Sequence, residues 1–218
     1  MNSEIRAALY AAFGSDYDES DRERITLMYS AFGIHSPLEE MSWDDLGKLQ
    51  DKGSIYSATV LKYVLPRWLE LLDEEGRGCP DFMLDEDNFK WRLQGEHWLQ
   101  WPSYQVESVR MVFREWGQAR MREGHMEGFV DFLSQLEEEV APYLDPWLRA
   151  RPLEVAQWVG AQNWMRVGAA LVRWVSLPRV EERLEAAFWA NPDGDHAEVF
   201  SGVTLLLRSV RALNAGRK

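Results

Sequence analysis

The chain has few of the residues from which metal and thiol sites are built. A single cysteine, Cys79, among 218 residues excludes an internal disulfide and a zinc site based on a cysteine cluster. Its four histidines form neither a pair at helical spacing nor an HExxH motif. Phosphate-binding GxxxxGK loops, GxGxxG fingerprints and GxSxG elbows are also missing. We predict no metal, no cofactor and no catalytic residue, and the sequence leaves open whether the protein is an enzyme.

Long apolar runs and basic charge are scarce as well. No stretch approaches eighteen consecutive apolar residues, so no transmembrane helix is expected. The first residues lack a basic region followed by an apolar run, so we expect no secretory signal and a cytoplasmic protein. Net charge is -12, from 24 Lys and Arg against 36 Asp and Glu. Nucleic acid is therefore not expected as a direct partner, whereas a basic protein would be attracted.

What the chain has in quantity is helical periodicity. Apolar residues recur at steps of three and four through most of the sequence, and no run alternates with a period of two between hairpin turns. The length suffices for one core without staples. We predict an all-α fold, an irregular bundle of about nine to eleven helices, formed by a single helical domain over residues 1–218.

The most apolar helical stretch is Ser54 to Asp73, for which Ser54 is the predicted N-cap. Its apolar stripe continues through Pro66, which removes a backbone donor and crowds the carbonyl of Lys62. Two outcomes are open: one helix that is kinked near Lys62, or two helices that meet at Pro66. The continuous stripe favours the kinked helix, in which Arg67 and Glu70 lie outside the apolar positions.

Local signals predict several further elements. Ser20 is expected to cap a helix that begins at Asp21, and Ser42 with Asp45 forms a box-like cap before the helix Trp43–Asp51. One helix is expected over 126–140, with Glu137 in a solvated end, and another over 153–175. The proline-rich segment 141–152 between them reads as one or two helical turns, and a turn is expected at 191–194.

The eleven tryptophans have two interpretations. Tryptophan buries a large area and usually finds a partner for its indole N–H, so the count suits a thick helical core. The alternative is an aromatic groove or an interface rich in anchors. We favour the core.

Three segments occur in an order that resembles an uncharacterised bacterial family. They are a DL pair and a leucine-proline-arginine segment, a WxxWP turn before a helix with an early glutamate, and a late aromatic-tryptophan pair. The matching residues are Asp45, Leu46, Leu65, Pro66, Arg67, Leu69, Trp98, Trp101, Pro102, Glu107, Phe188 and Trp189. Family members often have a small cysteine cluster before the DL pair, and residues 29–40 of this chain contain none. The resemblance implies a helical fold without an established activity.

The same resemblance marks Arg67, Trp98, Trp101 and Glu107 as candidate binding residues. The structural interpretation of these positions is that Arg67 caps a carbonyl or pairs with an acid, and that the WP turn fills the core.

Two functions follow as hypotheses. The first is a non-catalytic interaction protein, similar in role to an immunity protein or antitoxin, that binds a basic protein through an acidic face. The alternative is a small-molecule binder or unrecognised enzyme with a pocket lined by Trp98, Trp101 and Trp116.

Overall fold

The computed structural model describes residues 1–51, 53, 57–74, 86–162, 164, 167–190, 192 and 196–215. Over these residues the protein is all-α, with no strand, as the periodicity predicted. The predicted loop position of Cys79, the N-cap at Ser54 and most of the turn at 191–194 lie outside the described residues. Contacts between Cα atoms divide the chain into two compact units, residues 1–123 and 124–218. The prediction of a single domain stays a prediction.

In its described residues, the first unit contains six α-helices and two short 3-10 helices. The α-helices are α1 (Ser3–Gly14), α2 (Glu19–Ala31), α3 (Trp43–Asp51), α4 (Ala58–Glu74), α5 (Glu86–Gly95) and α6 (Ser103–Glu123). The 3-10 helices are Leu38–Glu40 and Trp98–Gln100. Helix α1 packs against both α4 and α6.

The first two helices of this unit begin with side-chain caps. The Asn2 side chain accepts from the backbone N–H groups of Glu4 and Ile5 at the start of α1. At α2 the cap is Asp18, which accepts from Asp21 at 2.8 Å. The predicted cap, Ser20, is wrong because the helix begins earlier, at Glu19.

The predicted cap of α3 is confirmed. Ser42 donates its backbone N–H and its hydroxyl to Asp45, at 3.1 and 3.0 Å, and its hydroxyl accepts from the Asp45 N–H at 3.3 Å. These bonds satisfy donors that a helix start otherwise leaves unpaired. Burial by itself disfavours the charged carboxylate, but the bonds from Ser42 and the nearby Lys48 ammonium lower the pKa of Asp45.

Helix α4 runs without interruption through Pro66. The two-helix alternative is therefore excluded, and the helix accommodates a proline because its apolar side chains are buried on both sides of that position. Val64, Leu65 and Leu69 are 0% exposed. Arg67 and Glu70, at 8% and 6% exposure, are buried among them. The assignment of these two residues to positions outside the buried face is wrong.

The second unit contains the remaining six α-helices of the described chain. They are α7 (Glu127–Leu136), α8 (Ala141–Ala150), α9 (Pro152–Ala161), α10 (Ala169–Val175), α11 (Pro178–Ala190) and α12 (Ala197–Ala215). Helix α12 packs against α9 and α11, α8 packs against α9, and α10 packs against α7.

Two sequence expectations for this unit are wrong. The segment 141–152 contains a ten-residue helix, because Leu144, Trp147 and Leu148 are buried and Pro142 lies in its first turn, where no donor is needed. The expected helix over 153–175 is two helices. The chain leaves helical geometry at Gln162, with ψ 140°, and resumes it after Gly168. The described chain thus has twelve α-helices rather than nine to eleven.

The predicted exposure of Glu137 is also wrong. It was expected in a solvated helix end, yet it is 4% exposed and accepts a hydrogen bond of 2.7 Å from the Tyr143 hydroxyl. Helix α7 ends at Leu136, and the bond to α8 directs the carboxylate inward.

Most of the tryptophans serve the core, as favoured from the sequence. Six of the eleven are at most 2% exposed, namely Trp68, Trp98, Trp116, Trp147, Trp158 and Trp174. Trp91 and Trp189 are the contrasting cases, at 59% and 70% exposure.

Candidate functional site

The four residues singled out from the sequence lie in different surroundings. Arg67, in α4, is 8% exposed, and Trp98, in a 3-10 helix, is 2% exposed. Trp101 is half-buried. Glu107 lies on the exposed side of α6, where it pairs with Arg114 at 2.6 Å. That they form one binding site stays a prediction.

Arg67 is held by three hydrogen bonds. Its Nε donates to the Met41 carbonyl at 2.8 Å, and its Nη1 donates to Glu70 and to Glu74, each at 2.9 Å. The interpretation that Arg67 caps a carbonyl or pairs with an acid is confirmed, since it does both. Burial opposes the charge of the guanidinium, but the hydrogen bonds that it donates to Glu74 and Glu70 raise its pKa.

Glu70 extends this network to helix α1. It accepts a hydrogen bond of 2.8 Å from the Tyr10 hydroxyl and forms an ion pair with Arg6. Burial raises the pKa of Tyr10, and the bond to Glu70 adds to the rise. The residues Arg6, Tyr10, Arg67, Glu70 and Glu74, which we call the α1–α4 charge cluster, contain two cations and two anions. Its charges balance and its two central members, Arg67 and Glu70, are buried, which is typical of a structural contact.

The WxxWP turn follows a residue in an unfavourable backbone conformation and places Trp98 in the core. His97 has φ 48°, in the left-handed region, immediately before Trp98. The Trp98 ring lies edge-on to Phe113 at 5.9 Å between centroids, and Phe113 is 5.7 Å from Trp116. Trp101 contacts a different ring, Phe13 of α1, at 5.9 Å. The interpretation of Trp98 as a residue that fills the core is confirmed.

A cavity of about 250 Å³ opens beside Trp116. Its lining includes Met1, Asp73, Glu115, Trp116, Ala119 and Arg120. Neither Trp98 nor Trp101 contributes to it. The pocket of three tryptophans is therefore not the cavity found here, and the ligand-binding alternative stays a prediction.

Negative charge is concentrated at the start of the chain. Residues 1–51, which we call the acidic segment, contain eleven Asp and Glu but four Lys and Arg, so they carry -7 of the net -12. Nine of the eleven carboxylates are exposed: Glu4, Asp16, Asp18, Glu19, Glu23, Glu39, Glu40, Asp44 and Asp51. The whole first unit carries -9, from 23 acidic and 14 basic residues, which leaves -3 for the second.

Helix α2 presents part of this charge with an apolar residue. Glu19, Glu23 and Leu27 follow one another at four-residue spacing, which places them on one side of the helix. We call these three residues the α2 stripe. Leu27 is 72% exposed, whereas the buried residues of α2 are Ile25 and Tyr29. Within the described residues, neither carboxylate of the stripe is paired with a cation.

The described residues show two further absences. They contain no group of three His, Cys, Asp or Glu side chains placed to hold a metal ion. Their helices also include none with the length and the apolar character needed to cross a membrane.

Comparison with protein-family models, with curated proteins and with solved structures finds no match to this chain in any of the three. The resemblance to an uncharacterised bacterial family stays a prediction.

Sequence reasoning missed Glu70, Asp73 and Tyr10, which connect helices of the first unit through hydrogen bonds. Glu70 lies three positions after Arg67, a spacing that permits pairing on a helix, and this signal was available. Asp73 and Tyr10 had no such signal, because their partners are far away in sequence. Asp73 accepts a hydrogen bond of 3.0 Å from the indole of Trp116, 43 positions later.

Proposed function

We propose that this protein is a non-catalytic binding protein of the cytoplasm, similar in role to an immunity protein or antitoxin, whose partner is a basic protein. The observation that supports this proposal is the acidic segment, which carries a net charge of -7 in 51 residues and exposes nine of its eleven carboxylates. Complementary charge accelerates the encounter of two proteins and disfavours partners of the same sign.

The α2 stripe is the contact that we propose for the centre of the interface. Interfaces draw most of their affinity from a few desolvated anchors, and surrounding charges contribute mainly orientation and rate. Leu27 supplies an exposed apolar side chain at 72% exposure. Glu19 and Glu23 supply charges that no described cation neutralises, so a partner's Lys or Arg meets no competitor within the protein.

The test is affinity capture from native cell extract, followed by titration of the recovered protein. The variant Glu19→Gln/Glu23→Gln/Leu27→Ala removes the stripe, and none of its three residues is buried. The matched control, Glu139→Gln/Glu182→Gln, removes two exposed charges outside the acidic segment.

We expect one basic protein at near-equal amount, bound with an affinity that falls as salt rises. The stripe variant should lose about tenfold in affinity, because it lacks both the anchor and two charges, while the control remains near wild type. Equal affinity of the stripe variant and the control would contradict the proposed contact. Recovery of no stoichiometric partner would contradict the proposed function.

A further inference from the structure

Helix α12 has an outer side that the second unit leaves uncovered. On its inner side, Val203 is 3% exposed and lies against Gly160 of α9. On the outer side, Leu205 is 63% exposed, and a Cβ added at Gly202 would meet no atom within 4 Å. An amphipathic helix normally turns its apolar residues towards the core, so an exposed leucine on the outer side is an exception.

The ion pairs between α11 and α12 show that a second exposed apolar residue adjoins Leu205. Glu185 of α11 pairs with Arg208 of α12 at 2.6 Å. The arginine three positions after Arg208 pairs at 2.7 Å with the glutamate four positions before Glu185, so the two helices run antiparallel. Trp189, at 70% exposure, lies one turn beyond Glu185, and Leu205 lies nearly one turn before Arg208. Single exposed apolar residues need no explanation, whereas neighbouring ones mark an interaction surface.

The residues around Leu205 on the outer side of α12 are small. Ser201 and Gly202 precede it and Ser209 and Ala212 follow it, and all four are exposed. The axes of two helices can approach each other closely where the side chains between them are small. The Ser209 hydroxyl donates to the Leu205 carbonyl at 3.0 Å, so its burial in a contact leaves no donor unpaired.

The charges of α12 match those of a second α12 in antiparallel orientation. Glu198 is exposed in the first turn and has no cationic partner among the described residues, whereas Arg208 and Arg211 lie towards the other end. A twofold axis at Leu205 places Glu198 of one copy within about 2–6 Å, measured along the helix axis, of these two positions in the other. Parallel helices in register would instead bring like charges together.

From this pattern we propose that two copies of the protein associate through α12, with a twofold axis at Leu205. Leu205 of each copy contacts the same residue of the other copy, and Trp189 covers the edge of the contact. Each copy offers only these two large apolar anchors, so we expect a weak dimer with a dissociation constant of about 1–100 µM. The surface belongs to the second unit, and the proposal does not rest on the acidic segment or on its basic partner.

The first experiment is analytical ultracentrifugation of the purified full chain at concentrations that span this range. Leu205→Glu places two like charges at the twofold axis and should weaken the dimer at least about tenfold. Trp189→Ser should weaken it by a smaller factor. Leu27→Glu is the matched control, because Leu27 is 72% exposed in the first unit, and it should dimerise as the wild type does. All three positions are exposed, and circular dichroism confirms that each variant is folded.

The second experiment tests the position of the axis. In a Cys79→Ser background, Leu205→Cys brings two thiols together at the axis, close enough for a disulfide between the copies. Oxidised glutathione should therefore link Leu205→Cys into a covalent dimer faster than it links Leu27→Cys in the same background. Non-reducing electrophoresis measures the two rates.

A wild-type protein that stays monomeric over the whole concentration range would overturn the dimer. Association that Leu205→Glu leaves intact, or that Leu27→Glu weakens equally, would overturn its assignment to α12. Equal rates of covalent linkage for Leu205→Cys and Leu27→Cys would overturn the twofold axis at Leu205.

Discussion

Replacement of Arg67 by methionine tests whether the α1–α4 charge cluster stabilises the first unit. Methionine keeps much of the apolar stem but removes the three hydrogen bonds to Met41, Glu70 and Glu74. Removal of one partner from a buried ion pair usually costs about 3–5 kcal/mol, because the other charge stays buried. Glu70 retains Arg6 and Tyr10, so we expect the lower end, about 3 kcal/mol.

The assay is urea unfolding followed by circular dichroism, with thermal unfolding in parallel. A loss of this size should lower Tm by about 6–12 °C for a chain of this length. Arg24→Met is the control, since it removes an exposed ion pair to Asp21, at 3.2 Å, that should contribute little. The transitions of the two units are fitted separately where they do not coincide.

A double-mutant cycle of Arg67→Met with Glu70→Gln shows whether the loss of stability comes from the ion pair between Arg67 and Glu70. We expect the combined variant to be less destabilised than the sum of the two single changes, since the second removes a charge that the first left unpaired. A loss below about 1 kcal/mol for Arg67→Met, or strict additivity with Glu70→Gln, would refute the reasoning.

Three other changes give predictions for stability. Ser42→Ala should cost about 1 kcal/mol because the hydroxyl bonds of the α3 cap are lost. Stability should also fall less steeply with acid, because Asp45 loses one of the hydrogen bonds that lower its pKa while it keeps those from the Ser42 backbone N–H and Lys48. The hydrogen bond from Arg208 of α12 lowers the pKa of Glu181. The contribution of Glu181 to the free energy of unfolding is therefore fully present above about pH 4.3, the pKa of an unfolded glutamate, and is lost as the pH falls through the folded pKa. Glu181→Gln should therefore reduce stability at pH 7 but not at pH 2, as measured by urea unfolding. Gly168→Ala should destabilise the protein by about 1–3 kcal/mol, because the new Cβ would lie 3.0 Å from a backbone oxygen of α7. Gly47→Ala should stabilise it by up to about 1 kcal/mol, because a Cβ there meets open space within α3. A higher Tm for Gly168→Ala than for Gly47→Ala would contradict this prediction.

The elements predicted correctly are those whose signals lie within a few residues. Helix α3 has the predicted bounds, and its start is closed by Ser42 and Asp45, three positions apart. Helix α4 continues through Pro66 because apolar residues on both sides are buried, a pattern visible in the sequence.

Two of the errors involve contacts that helical periodicity does not describe. Gly168, which precedes α10, lies so close to Ser134 of α7 that an added Cβ would be 3.0 Å from the Ser134 backbone oxygen. Glu137 turns inward because Tyr143 offers it a hydroxyl. Neither neighbour can be inferred from helical periodicity.

At the candidate site too, the sequence predicted the kind of contact, whereas the fold determined the partners. Arg67 was expected to cap a carbonyl or to pair with an acid, and it does both. Which groups it meets depends on the fold, which brings Met41, 26 positions earlier, to its Nε. Trp98 and Trp101 are three positions apart, yet the structure places them against different phenylalanines.

By itself the sequence determined the helical class, the cap of α3 and the excess of acidic charge, because these depend on spacing and composition. Tertiary structure alone decided which charges are buried and paired and where a cavity opens. The free energy of a buried charge depends on neighbours that the fold brings together, such as Arg6 beside Glu70 or Trp116 beside Asp73. Their separations of 64 and 43 positions exceed the reach of any local pattern.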